Sequence, residues 1–506
     1  MGAISRALHT GRCAIFTIIP KQNQSFTQHN TVQTLLVALA VLIAGYFIYG
    51  TFISRIVGVD PSRTTPAYTL RDNVDYMPMP TWKVFLIQFL NIAGLGPIFG
   101  AIMGIMFGPA AFLWIVFGTI FAGAVHDFCT GFISLRSDGM SLPQIIGDQL
   151  GNKVRKVMNV LTILLMILVA AVFVLNPADI IAGMTPDYLD RAVWVTAIFV
   201  YYMLATLLPI DKLIGNLYPV FGFALLFMAA GILGVLIFGN YNLPVDWSEG
   251  LGNRYLESAR GTHPIFPMMF VSIACGAISG FHATQSPMMA RCLKNERLAQ
   301  PVFYGAMVAE GIVALIWAAA AIAFTGGYEE LGQYMAGGKT AGVLVKEISV
   351  NWLGTVGGLL AILGVVAAPI TSGDTALRSA RLIAADIFHF DQTKIWRRLI
   401  VSLPLFGLTY LIMCIDYNVM WRYFAWINQT IAMVTLWAIT VWLARKGKLY
   451  VVALIPALFM TVVCVTYVLF APSPEGFGLS STIAVGSGCC VAAALLGLFM
   501  RFLKKQ

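Results

Sequence analysis

Charge is scarce in this chain. Lys, Arg, Asp and Glu make up 11% of its 506 residues, less than half the ~25% of an ordinary globular domain. That is too little to clothe a water-facing surface of this size, which excludes a soluble enzyme, a nucleic-acid binder and a disordered chain. Metal-ligand patterns are missing too: the eight Cys show no CxxC spacing and mostly fall within apolar runs, where Cys acts as a small hydrophobe. Neither a disulfide framework nor a zinc site is indicated, and no cofactor is expected. Histidine is sparse as well, with six residues, of which His126 and His282 alone fall inside apolar segments. His9, His29, His263 and His389 lie in the tail or in loops, so the matched pairs of a haem- or quinone-holding membrane subunit are lacking. Residues 1–32 carry Arg6, Arg12 and Lys21 without a long apolar stretch or a small-residue cleavage site, and read as a tail rather than a signal peptide.

What the chain has in abundance is apolar length: 59% of it is hydrophobic. A helix needs ~20 apolar residues to cross a bilayer, and thirteen segments meet that ruler, near 33–55, 84–107, 109–133, 157–175, 192–208, 216–238, 265–290, 300–325, 354–384, 396–416, 420–442, 449–471 and 479–501. The net charge of +9 is then a topology signal. Loops on alternate sides divide the 32 Lys and Arg as 23 against 9, which makes the richer side cytoplasmic and places the C-terminus there. The same scheme puts the N-terminal tail on the opposite side.

Three of these segments, 84–107, 265–290 and 354–384, are interrupted by Gly, Pro and polar residues near mid-depth. The first reads Phe89-Leu-Asn-Ile-Ala-Gly-Leu-Gly-Pro97, where two glycines and a proline without an amide predict unwinding. Freed backbone groups cost several kcal/mol in lipid unless they face protein or a wet cavity, so an internal site is expected there. The second reads Phe270-Val-Ser-Ile-Ala-Cys-Gly-Ala-Ile-Ser-Gly-Phe-His282, and its Phe270, Ile273 and Ala274 repeat Phe89, Ile92 and Ala93 at a constant offset of 181 residues. Five spans, 2 to 6, then precede another five, 7 to 11, and an odd repeat length inverts the second copy, as in many secondary transporters.

Asn91, Gly94 and Gly96 of the first break, with Ser272, Gly276, Ser279, Gly280 and His282 of the second, are the candidate substrate-binding residues. Half-helix N-termini there would meet an anionic group with the positive ends of their dipoles; the plainer alternative is that small residues only let helices pack closely. His126-Asp127, toward the end of the third span, is a candidate proton relay or else an interfacial cap. Thr371, Ser372 and Asp374 offer oxygen ligands to a small cation, or a carboxylate to a proton, with Arg378 one turn on from Asp374; a purely structural Asp374–Arg378 pair is the alternative. Asn428-Gln429 is a polar pair within the eleventh span, read as interhelical glue or as a substrate contact.

Taken in order, several runs resemble the carbon starvation protein A (CstA) family of bacterial inner-membrane proteins: Asp75-Tyr-Met-Pro78, Ile92-Ala-Gly-Leu-Gly-Pro97, Ala122-Gly-Ala-Val-His-Asp-Phe128, Ile273-Ala-Cys-Gly-Ala-Ile-Ser-Gly-Phe-His-Ala283, Asp374-Thr-Ala-Leu-Arg-Ser-Ala-Arg381 and Asn428-Gln429. They run from about 55 to 445. The resemblance implies a secondary transporter with a LeuT-like 5+5 inverted repeat, linked to peptide and pyruvate use when carbon is scarce, with H⁺ symport. Two departures stand out: His126 replaces a Gln common in the family, and Phe424-Ala-Trp-Ile427 replaces a Phe-Gly run.

The expectation is therefore an all-α polytopic membrane protein and not an enzyme. It comprises a tail (1–32), an extra span and loop (33–83), two five-helix repeats (84–238 and 265–442) and two further spans with a basic end (449–506). Its partners are the lipid bilayer and a small substrate, pyruvate or a short peptide. H⁺, or as the lesser alternative Na⁺, is the coupling ion; a channel or a starvation sensor without coupled transport is the competing reading.

Overall fold

The computed structural model describes residues 28–506, apart from 74, 184, 208–209, 240, 242, 244, 246, 248–249, 393, 416 and 474. The tail expected at 1–32 lies outside the described residues up to 27. The described chain is built of helices, named here in order: α1 (Val32–Val57), α2 (Thr81–Ile92), α3 (Gly96–Ile105), α4 (Ala110–Arg136), α5 (Asn152–Ala182), α6 (Arg191–Leu207) and α7 (Ile210–Phe238). After an interrupted stretch come α8 (Gly280–Ala290), α9 (Glu296–Thr325), α10 (Ala341–Leu360), α11 (Ala367–Phe388), α12 (Ile395–Met413), α13 (Tyr417–Arg445), α14 (Val451–Phe470) and α15 (Ser481–Leu503). Among the described residues ten helices are long and apolar enough to cross a membrane, and the bent pair α2–α3 makes an eleventh.

The remaining expected segments depart from that ruler for physical reasons. α6 has 17 residues, about 26 Å at 1.5 Å per residue, a little short of the ~30 Å hydrocarbon. The segment at 265–290 is not one helix but Ile265–Met269, Phe270–Ser272, the single turn Ala274–Ala277 and α8. The segment expected at 354–384 begins where the chain bends: Gly354 sits at φ 62°, ψ −149°, a conformation open to glycine and strained for other residues. Residues 341–353 before it form the first part of α10, a helical arm about 20 Å long. They are joined to the expected span rather than forming a loop, which corrects the expected connection from 325 to 354.

Polar ties fix the ends of the bundle. Glu296, 1% exposed, accepts from Arg136 Nε at 3.0 Å and Arg136 Nη2 at 2.9 Å, and from the Asp60 amide at 2.9 Å. The charge-assisted fork binds the C-terminal end of α4, where a cation also complements the helix dipole, to the start of α9 and to the loop after α1.

Candidate functional site

α2 ends because Ala93 leaves the helical region, at φ −82°, ψ 42°, and α3 restarts with Pro97 in its first turn, where the missing amide is tolerated. The two halves are bent by 45°. The second break has a similar bend one residue earlier in the repeat: Ile273, the counterpart of Ile92, adopts φ −89°, ψ 49°. The second break runs further, with Ile278 and Ser279 fully extended before α8.

The two breaks touch. A Cβ on Gly96 would lie 2.2 Å from the Cβ of Cys275, and one on Gly100 would lie 2.8 Å from the Ser272 carbonyl oxygen. Gly96 thus allows contact between α3 and the Ala274–Ala277 turn, the close-packing role small residues take in membranes. Asn91, buried, accepts from the Thr375 hydroxyl at 3.3 Å, and Gly94 faces Phe173 and Ser372.

Polar side chains from other helices satisfy the freed backbone of the second break. Thr119 of α4 donates to the Gly276 carbonyl at 3.1 Å. Asn428 of α13 accepts from the Ser279 hydroxyl at 3.1 Å and the Phe281 amide at 2.7 Å, capping α8 from outside, while Gln429 donates to the Ile278 carbonyl at 3.1 Å. Asn428 and Gln429 thus tie α13 to the second break. Asn428→Ala leaves the buried Phe281 amide without its acceptor, a loss of about 1–3 kcal/mol; thermal unfolding in detergent will register it as a lower transition temperature, and an unchanged transition would refute the cap.

The expected coupling residues gather on α11 against the first break. Ser372 donates at 3.0 Å to both the Leu90 and the Ala368 carbonyls, and Thr371 donates to Ala368 at 2.7 Å. Asp374 Oδ2 accepts from the Tyr201 hydroxyl of α6 at 2.9 Å, and the Tyr218 hydroxyl of α7 donates to the Thr371 carbonyl at 2.9 Å. Arg378 extends past Asp374 to the Ala205 carbonyl at 2.8 Å and to Asp75, 3.7 Å away.

His126 and Asp127 are wholly buried. His282, expected at the substrate, joins them instead: Asp127 holds His126 Nδ1 at 2.8 Å on one oxygen and His282 Nδ1 at 2.9 Å on the other. The far side of the His282 ring, Nε2, lies 3.4 Å from Glu310 of α9. Glu310 is absent from the sequence-derived candidates, although a lone carboxylate in the apolar run Met307-Val-Ala-Glu-Gly-Ile-Val313 is itself a signal of function in a membrane.

A cavity of about 370 Å³, lined among others by Gly100, Met103, Ser272, Arg422 and Glu475, reaches the breaks from the α3 end of the bent pair. Ser272 is thereby the expected substrate residue that meets open space, whereas Asn91, Ser279 and His282 are buried among protein groups. Arg422 and Glu475 pair across the cavity wall at 2.7 Å. The opposite end, before α2, is covered: Tyr76 lies under the Arg291 guanidinium at 4.9 Å, the Met79 amide bonds the Cys292 carbonyl at 3.1 Å, and Asp75 faces Arg378. Burial raises the Tyr76 phenol above its ordinary value, with Arg291 opposing.

Known proteins resemble this chain in both sequence and fold. An uncharacterized membrane protein of Haemophilus influenzae is 43% identical over 331 residues, 56% of this chain and 89% of that protein. A peptide transporter CstA of Bacillus subtilis is 28% identical, over 58% of each chain, and a pyruvate/proton symporter BtsT of Escherichia coli 29% identical, over 57% of this chain and 49% of its own. The chain thus matches about half the length of these two named relatives. In fold it is similar to a manganese transporter from Eremococcus coleocola, with a TM-score of 0.53 and 12% identity across 86% of this chain and 99% of that one. The family model for carbon starvation protein CstA matches residues 30–187 and 179–350, and the chain belongs to that family.

Proposed function

We propose that this protein is a secondary active transporter of the bacterial inner membrane, which takes up pyruvate or small peptides during carbon starvation by symport with H⁺. The observation that carries the reading is the contact of two broken helices, Gly96 against Cys275 and Gly100 against Ser272, the latter two residues also lining a cavity at the α3 end. Relatives named as a peptide transporter and a pyruvate/proton symporter support the substrate class and the coupling ion.

In this reading residues 84–238 and 265–442 form a LeuT-like inverted repeat, thirteen spans cross the bilayer with the C-terminus in the cytoplasm, and 33–83 and 449–506 are additions. Substrate descends past Arg422 and Ser272 to the breaks, and Asp374 carries the coupling proton. Alternating access opens the Asp75–Arg378 end as the cavity closes. Gly94, Gly96, Gly276 and Gly280 let the helices pack tightly enough for one bundle to rock on the other, and Asn428 and Gln429 hold the second break together as it does so.

The test is uptake of labelled pyruvate and of a labelled dipeptide into proteoliposomes, under a pH gradient, under a Na⁺ gradient, or without either. For one proton per substrate, one pH unit supplies about 1.4 kcal/mol, hence roughly ten-fold accumulation. Accumulation under the pH gradient alone is the expected result. Equilibration without accumulation indicates a channel, and no flux through folded protein a sensor.

A further inference from the structure

We infer that Glu310 holds an exchangeable proton, relayed through His282 to Asp127, so that a second proton site exists apart from Asp374. The inference rests on the symport reading and says where else the protein binds its coupling ion. All four side chains, His126, Asp127, His282 and Glu310, have no exposed surface. They come from α4, α8 and α9, and hydrogen-bond accounting alone constrains their protons.

An ionised carboxylate only accepts. Asp127 faces a ring nitrogen with each oxygen, His126 Nδ1 at 2.8 Å and His282 Nδ1 at 2.9 Å, and as a carboxylate it takes an N–H from both. A neutral His282 that donates through Nδ1 presents a lone pair at Nε2. Glu310 Oε2 stands 3.4 Å from that lone pair, and neither Glu310 oxygen has a hydrogen-bond partner. Two acceptors therefore face each other unless one proton lies between them. Placing it on His282 would bury three charges, Asp127, His282 and Glu310, whereas placing it on Glu310 buries one. Desolvation of ions is expensive, and 3.4 Å is long for a charge-assisted bond, so the proton rests on Glu310.

The groups also form a path. Glu310 passes its O–H proton to His282 Nε2 while His282 passes its Nδ1 proton to Asp127 Oδ2. One O–H and one N–H bond break, one N–H and one O–H bond form, and the negative charge moves from Asp127 to Glu310. The Cys275 thiol, from the turn that packs on Gly96, is a further titratable group within electrostatic reach of this carboxylate. The four groups touch in sequence, His126 to Asp127, Asp127 to His282 and His282 to Glu310, and among the described residues no cluster of His, Cys, Asp and Glu is placed to hold a metal ion. His282 lies two residues beyond Gly280 in the half-helix that Asn428 caps. A shift of α8 therefore changes the His282–Glu310 distance, which links proton affinity to the movement of the break.

Two readouts test this. Infrared difference spectra of wild-type protein against Glu310→Gln, in H₂O and D₂O, will show the carbonyl stretch of one buried carboxylic acid in the wild type and its loss in the variant; no lost band overturns the proposal. In proteoliposomes Glu310→Gln, whose amide donates permanently to His282, will lower pH-driven accumulation at least ten-fold while counterflow of labelled for unlabelled substrate at equal pH stays within about two-fold. Driven accumulation at the wild-type level overturns it. Should Glu310→Gln fail to fold, Glu310→Met, similar in volume and apolar, serves both measurements. If the wild type itself accumulates nothing, the symport reading fails, and the infrared comparison still decides whether Glu310 is protonated.

Discussion

Asp374→Asn will yield a folded, membrane-inserted protein that no longer concentrates substrate against its gradient. The carboxylate is 1% exposed, its Oδ2 accepts from Tyr201 at 2.9 Å, and its Oδ1 has no hydrogen-bond partner. An Asn of the same shape keeps an acceptor for Tyr201, so packing against α6 survives, but it cannot take up and release a proton. Accumulation under a pH gradient falls to the equilibrium level, while size-exclusion profile and thermal unfolding remain those of the wild type. Tyr201→Phe removes one hydrogen bond, worth about 0.5–1.5 kcal/mol net, and gives a several-fold weakening of proton-driven uptake rather than its loss. Wild-type accumulation by Asp374→Asn would take this residue out of coupling altogether and leave the His282–Glu310 pair as the sole candidate.

The second large effect is at Gly96, which Leu cannot replace. Its added Cβ would stand 2.2 Å from the Cβ and 2.4 Å from the sulfur of Cys275, and the neighbouring Gly100 position already meets backbone on the second break. Overpacking a close contact costs about 1–3 kcal/mol for a small addition, so Gly96→Ala lowers the unfolding temperature measurably and Gly96→Leu abolishes both stable protein and uptake. The contact also predicts its own rescue. Gly96→Ala combined with Cys275→Gly recovers most of the stability lost by Gly96→Ala alone, because the colliding atoms are removed. Additive losses in the double variant would mean that the two breaks do not meet at this pair.

Much of this was legible because the signals were local. Pro97 and the glycines beside it place the first break to within a turn, and the Phe-x-x-Ile-Ala repeat places the second to within one residue of Ile273. Gly354 marks a bend inside α10, an interruption written in the chain itself. The arm 341–353 escaped notice because Lys346, Glu347 and Asn351 break its apolar run. Pairings across the bundle could not be read in the same way. Nothing in the order of residues says that Gln429 will reach the Ile278 carbonyl, or that the ring of His282 will turn toward Asp127, 155 positions away. Glu310 was the exception, a charge in an apolar run whose position alone warranted attention.

The tie at Glu296 bears on how the protein is made. Its partners Arg136 and Asp60 precede it by 160 and 236 residues. When the ribosome has delivered the first half of the chain, the guanidinium at the end of α4 and the amide of Asp60 still lack this carboxylate. They acquire it only once residue 296 has emerged. Biogenesis therefore has a late step, in which the loop after α1 is locked to a helix synthesised long afterwards, and a chain truncated before 296 inserts its early helices without that lock.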